Sequence, residues 1–236
     1  MIIHFFSFYD KIRQISTKKV ANIYSGENMN QELFKISHEI KNSLAVMKGY
    51  MSLFDGSLEN YQKYTPCLYK SLEHSIELLK DFSNIGKLNV NLDIMDVNYL
   101  LEEVIDLYKP TINNIKLICD IDNEIYIEGD YERLKQVFIN IIENAIYALK
   151  DINNPAFIIK TEVINNKVII TFKDNGAGMD NYTKENIFTP FYTTKKYGTG
   201  LGMYISKEII ELHNGNIECI SDNGVTIKIK LDQYVI

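Results

Sequence analysis

The 236-residue chain has no tryptophan, only four prolines and only three cysteines. Cys67, Cys119 and Cys219 are widely spaced and odd in number, with no Cys-x-x-Cys pair. That argues against a disulfide frame or a zinc site and for buried or incidental thiols in a reducing compartment. No run approaches the ~18–20 apolar residues that a membrane helix needs. The greasy start, Met1-Ile2-Ile3-His4-Phe5-Phe6-Ser7-Phe8-Tyr9, meets Asp10, Lys11 and Arg13 too soon to be a span or a signal peptide. Its aromatics read as a helix face packing on itself or on a dimer mate. A cytoplasmic chain without a transmembrane segment is therefore expected. There is no basic block either: 25 basic and 31 acidic residues intersperse to a net charge of −6, which disfavours nucleic acid as a partner.

With 46% apolar residues, the chain can build two modest cores. Residues 1–27 read as a helical lead-in. From 28 to 54, Leu33, Ile40, Leu44, Met47, Met51 and Phe54 form one stripe of a helix, and Asp55-Gly56-Ser57 turns the chain. A second helix carries Leu68, Leu72, Ile76, Leu79, Phe82 and Ile85 on one side, with a kink or a late start expected at Pro66. Two antiparallel helices bury two such stripes poorly alone and well as a four-helix bundle, so residues 28–88 predict a homodimer. His74 reads as a surface or interface residue.

After a polar, hinge-like stretch at 89–96, residues 95–236 predict a second domain. Its expected elements are a helix at 97–109, strands near 115–121 and 124–128, and a long helix at 130–149. A hairpin follows, with strands at 156–163 and 167–173 joined by Asn165-Asn166. A loop-rich stretch then runs to Gly200, and a helix from Leu201 and a last hairpin at 216–231 complete the chain. Strands and helices in separate runs suggest an α/β sandwich, one sheet with helices on one face.

Four segments carry chemistry. On the first helix His38 lies about 160° round from Ile40 and should face solvent. Asn42 is one turn above it, and Glu39 is a carboxylate able to take a proton from one ring nitrogen and leave the other nucleophilic. On the long helix Asn140 and Asn144 stack beside an apolar face, and a carbonyl oxygen such as that of Asn144 suits Mg²⁺ bearing nucleotide phosphates. Asp174-Asn175-Gly176-Ala177-Gly178 follows a strand; the aspartate can accept from an exocyclic amine, and the glycines let a flat base approach the backbone. Phe188-Thr189-Pro190-Phe191, then Lys195, Lys196, Gly198, Gly200, Leu201 and Gly202, form a glycine-rich flap opening a helix whose N–H groups suit phosphate oxygens.

In this order and spacing the segments resemble the sensor histidine kinases of two-component signalling. The run 37–44 resembles the phosphoacceptor H box and the Asn140–Asn144 helix the N box. Residues 174–178 and 198–202 resemble the two glycine boxes, and 188–191 the F box. The run His38-Glu39-Ile40-Lys41-Asn42 with Met47-Lys48-Gly49-Tyr50 is similar to kinases of the sporulation phosphorelay type.

The resemblance implies a dimerising phosphotransfer hairpin followed by a Bergerat-type ATP-binding domain, with ATP and Mg²⁺ as cofactors. It makes His38 the phosphorylated residue, Glu39 its activating base, and Asn42 the group that positions the phosphoryl or an attacking water. Asn144 would hold Mg²⁺ and Asp174 the adenine. Asn140, Tyr147, Gly176, Gly178, Lys195, Gly198, Gly200, Leu201, Gly202 and Thr226 would complete the nucleotide site. An amide at Asn140 stands where hydrolysing relatives of the fold carry a water-activating glutamate, and Glu143 points elsewhere, so transfer is favoured over hydrolysis. The implied partner is an aspartate-bearing receiver domain of a response regulator. Two alternatives use the same residues: a phosphotransfer or regulator-binding scaffold, and a regulator acting chiefly as a phosphatase. The lead-in is short for a sensory domain, which points to a separate input protein or to a fragment. Two departures from the family stand out: Ser43 replaces the usual proline, and the last glycine-rich segment shrinks to Asn223-Gly224-Val225-Thr226.

Overall fold

The computed structural model describes residues 27–55, 57–85, 89–121, 124–195 and 198–235. The predicted lead-in helix lies outside them, apart from its last residue. The chain divides into two compact units, Met1–Ser83 and Asn84–Ile236.

In the first unit α1 (Glu27–Ser52) and α2 (Leu58–Ile85) form a hairpin. Ile40 and Met47 are buried, and Leu44, Met51 and Phe54 are half-buried, so the α1 stripe faces inward as its spacing predicts; the side chain of Leu33 is outside the described residues. Near the turn Phe54 packs edge-on to Tyr61 and Tyr64, and Tyr50 tilts against Tyr64. On α2, Leu72, Ile76 and Leu79 stay 37–42% exposed in the single chain. His74 is half-buried, and its Nδ1 is enclosed without a hydrogen-bond partner.

A late start at Pro66 is not observed. The helix begins at Leu58 and continues through the proline, whose missing N–H costs one rung in a long, otherwise regular element. Ser43 supplies a polar tie instead of a kink. Its buried hydroxyl donates to Ser71 O at 2.7 Å and accepts from Ser75 Oγ at 2.9 Å.

The second unit begins with β1 (Asp93–Asp96), part of the stretch expected to be a hinge. It pairs antiparallel with β3 (Tyr126–Gly129) as a separate two-stranded sheet. Between them come α3 (Val97–Tyr108), capped by Asp96, and β2 (Lys116–Asp120). Next are α4 (Tyr131–Leu149), capped by Asp130, then β4 (Ala156–Ile164) and β5 (Lys167–Asp174). Asn165 and Asn166 both take positive φ, 53° and 59°, the twist that a two-residue hairpin needs and asparagine tolerates. A short helix, α5 (Asn181–Asn186), sits in what reads from sequence as loop. The chain ends with α6 (Gly202–Leu212), β6 (Asn216–Ser221) and β7 (Val225–Asp232).

The main sheet has the order β2-β4-β5-β7-β6. It is not purely antiparallel, because β2 runs parallel to β4. The chain between them, with β3 and α4, is long enough for that crossover. Strand alternation puts Phe157, Ile159, Ile170, Phe172, Ile227 and Ile229 against the helices, where Phe138 of α4 meets Phe172 at 5.7 Å. His213, just past α6, accepts from the Asp130 N–H through Nε2 and bonds Ile209 O through Nδ1. That tie fixes the start of α4 against the end of α6.

Candidate functional site

On α1 His38 is exposed and Asn42 lies one turn on, its Nδ2 3.1 Å from His38 Nδ1. The stripe buries the opposite face, so burial of Ile40 and Met47 turns the imidazole outward. The side chain of Glu39 is outside the described residues.

In the second unit the candidate nucleotide site lies where the end of β5, helix α4 and the start of α6 converge. Asp174 is 5% exposed. Its Oδ1 accepts from Gly176 N–H at 2.8 Å and Val225 N–H at 3.2 Å. Burial raises its pKa and the two N–H donors oppose that. Gly176 leaves no room for a side chain: a Cβ there would stand 2.8 Å from Asp174 Oδ1 and 3.1 Å from Ala148 Cβ. Gly178 takes φ +73°, beside Ser221 and Gly224.

Asn144 Oδ1 accepts from Lys195 Nζ at 2.5 Å, and that ammonium also stands 4.7 Å from the centre of the Tyr147 ring. The oxygen thus already holds a positive charge. Asn140 is used differently, its Nδ2 donating to Gly202 O at 3.1 Å and Ser206 Oγ at 3.2 Å. It anchors the first turn of α6. Glu143 turns away, accepting from Tyr108 OH at 2.7 Å; burial, and then this bond, push the phenol's pKa up. Gly198 donates its N–H to Lys195 O. Gly200, at φ +68°, lies against the Phe191 backbone, where a Cβ would come within 2.4 Å.

Two of the expected site residues stand apart from these side chains. Leu201 is fully buried in the core, and its N–H donates to Thr199 Oγ1 at 3.3 Å. Thr226 sits between buried Val225 and Ile227 and opposite Lys173, so strand alternation turns it to the face of the sheet away from the helices. Val225, one residue earlier, is the contact to Asp174.

Three residues were given no role of their own by the sequence. Asn175 accepts from Ala156 N–H at 2.7 Å and donates to Asn154 O at 3.1 Å, pinning the loop after Asp174 to the start of β4. Ser221 Oγ accepts from Met179 N–H at 2.7 Å and bonds the carbonyls of Met179 and Gly224. Gly224, at φ +116°, packs so closely on Asp174 that a Cβ would lie 2.0 Å from its carbonyl oxygen. The signal for Gly224 was the shortened glycine-rich segment Asn223-Gly224-Val225-Thr226, from which only Thr226 was given a part.

Residues 129–235 match the family model described as histidine kinase-, DNA gyrase B- and HSP90-like ATPase. The catalytic domain of histidine kinase ThkA is 35% identical, with a TM-score of 0.56, covering 61% of this chain and 96% of that one. The chain belongs to the histidine kinases. Sporulation kinase E of Bacillus subtilis (strain 168) is 35% identical over 196 residues, 80% of this chain and 26% of that protein. The chain thus spans about a quarter of that relative's length. ThkA crystallised in complex with response regulator TrrA is 26% identical, with a TM-score of 0.74, covering 96% of this chain and 66% of that one. No helix among the described residues is long and apolar enough to cross a membrane.

Proposed function

We propose that the kinase autophosphorylates His38 from ATP and passes the phosphoryl group to an aspartate in the receiver domain of a response regulator. The observation that supports it most is the pairing of two features in the second unit. Asn144 presents an oxygen that already holds a cation, and nearby Asp174 and Gly176 form a cradle that a Cβ would fill. The residues fit the nucleotide and its metal. Asp174 Oδ1 is occupied by two N–H donors, so Oδ2 is left to accept from adenine's exocyclic amine. Among the described residues no group of three His, Cys, Asp or Glu could hold a metal. A hard cation here would therefore rest on the Asn144 amide oxygen together with phosphate oxygens.

ATP, when bound, supplies the transferable γ-phosphoryl group. The chain's own part is positioning and charge neutralisation. Asn140 holds the Gly202 carbonyl and so the start of α6, whose first N–H groups suit phosphate oxygens. An amide there has no basicity to activate water, which favours transfer over hydrolysis. On α1, attack from Nε2 requires the proton on Nδ1. Asn42, now donating towards Nδ1, favours that tautomer once its amide turns its oxygen to the ring. Glu39 is the alternative acceptor.

The exposed row of Leu72, Ile76 and Leu79 supports a homodimer, because a second hairpin would cover it as a four-helix bundle. The reading also assigns a cytoplasmic location. The test is incubation with γ-labelled ATP and Mg²⁺. Label should appear on the wild type, be acid-labile as a phosphoramidate is, pass to a receiver domain, and be absent from His38→Gln. Label retained by His38→Gln would remove the site assignment.

A further inference from the structure

Helices α3, α4 and α5 each begin on an aspartate: Asp96, Asp130 and Asp180 accept from first-turn N–H groups. Helix α6 begins on Leu201, whose side chain caps nothing and is buried in the core. The bond that opens the helix runs from Ile205 N–H to Leu201 O at 2.8 Å. The N–H groups of Gly202 and Met203 therefore have no carbonyl of α6 to bond. The turn is gripped by its carbonyl instead. Gly202 O accepts from Ser206 Oγ at 2.8 Å and from Asn140 Nδ2 of α4 at 3.1 Å, and the same Nδ2 donates to Ser206 Oγ at 3.2 Å. These three groups close a ring. Ser206 gives its one hydroxyl proton to Gly202 O, so its oxygen receives Asn140 as a donor and fixes which end of that amide faces α6.

A serine that bonds back to the carbonyl four residues earlier does little for a lone helix and slightly destabilises it. Ser206 is fully buried, and here the back-bond meets a donor from a second helix at the same carbonyl. We propose that Ser206 is a positioning residue for phosphate binding: through Asn140 it holds the first turn of α6 by its carbonyl, so the turn stays formed while its N–H groups remain open to phosphate oxygens. A side-chain cap of the kind that starts α3, α4 and α5 would hold the turn by occupying those same N–H groups. The inference rests on the reading of α6 as the phosphate-binding helix and names the residue that keeps its first turn in place. It also divides the site in two. Asp174 is aimed by the N–H groups of Gly176 and Val225, neither of them on α6, so the adenine end should not sense Ser206.

The test is calorimetric titration of the full chain with ADP and, by displacement, with adenosine; the ratio of the two affinities isolates what the phosphates contribute. Ser206→Ala should weaken ADP about three- to tenfold, the worth of one hydrogen bond, and leave adenosine at its wild-type affinity. Alanine is the better helix former, so the variant should melt within about 4 °C of wild type. The double variant Asn140→Ala/Ser206→Ala should bind ADP no more weakly than Asn140→Ala alone, because the serine acts through the asparagine. A purely structural role would weaken both ligands alike, or add the loss from Ser206→Ala to that from Asn140→Ala; either result overturns the proposal. So does a wild-type ratio in Ser206→Ala. A wild-type chain that binds ADP no more tightly than adenosine overturns the reading of α6 as the phosphate-binding helix, and the inference falls with it. A chain that binds neither ligand overturns the nucleotide-site reading itself.

Discussion

Gly224→Ala is the substitution that most sharply separates the structure from the pattern of the sequence. At φ +116° an L side chain is strained, at a cost of about 1–3 kcal/mol. The added Cβ would also lie 2.0 Å from the Asp174 carbonyl oxygen and 2.9 Å from Asn175 Cα, both backbone atoms that cannot swing aside. Relief requires the 222–225 turn to retreat, and with it go the Val225 N–H bond to Asp174 and the Ser221 bond to the Gly224 carbonyl. At roughly 1 kcal/mol each, these bring the total to about 3–5 kcal/mol. For a unit of this size that lowers Tm by roughly 10–15 °C. Nucleotide affinity should fall with it, because Asp174 loses one of the two donors that aim its carboxylate. Gly202→Ala is the matched control. The nearest atoms its Cβ would meet are those of the Asn140 side chain at 3.5 Å, an ordinary contact, and alanine is the better helix former. Calorimetric melting should show a large loss in Gly224→Ala and little change in Gly202→Ala, and ADP titration should show weakened binding in Gly224→Ala. Equal melting of Gly224→Ala and wild type, or a greater loss in Gly202→Ala, would refute the reasoning.

Ser43→Ala should cost about 1 kcal/mol, since Ser75 keeps its bond to Ser71 O, whereas Ser43→Pro should cost about 3 kcal/mol or more by also removing a helix N–H; urea unfolding of the chain reads both. Cys219, its thiol pushed up to about 11 by burial, should hold roughly a hundredfold less thiolate at pH 8 than an unperturbed cysteine, so it should react with a disulfide reagent far more slowly than exposed Cys119. Glu103 is held below the usual carboxylate range by hydrogen bonds from Lys135 and Tyr131. A depressed acid stabilises the fold above its unfolded pKa, so this contribution should be present at neutral pH and fade as pH falls through about 4 and below. Glu103→Gln should flatten that part of the acid melting curve, and added salt should shrink the difference.

Periodicity was enough to read α1, α3, α4 and the two long hairpins, because each buries one face and the burial repeats at 3.6 or 2 residues. It also turned His38 outward, since Ile40 and Met47 had to go inward. The order of His38, Asn144, Asp174 and the glycine-rich flap was legible for a different reason: these groups need particular atoms, and only a few residue types supply them. What the chain could not announce were relations between distant segments. β1 becomes a strand only because β3 offers it an edge, and β2 lies parallel to β4 only because the intervening chain is long enough to cross over. Pro66 stays inside a helix because the rest of α2 outweighs one lost rung. Thr226 and Val225 are neighbours whose roles are decided by which face of β7 each takes, and that parity was set by Ile227 and Ile229 entering the core. Lys195 on Asn144, and Gly224 against the Asp174 carbonyl, join residues about 50 positions apart. Local pattern constrains the turn at each end, but only the packed sheet and helices bring those ends within contact.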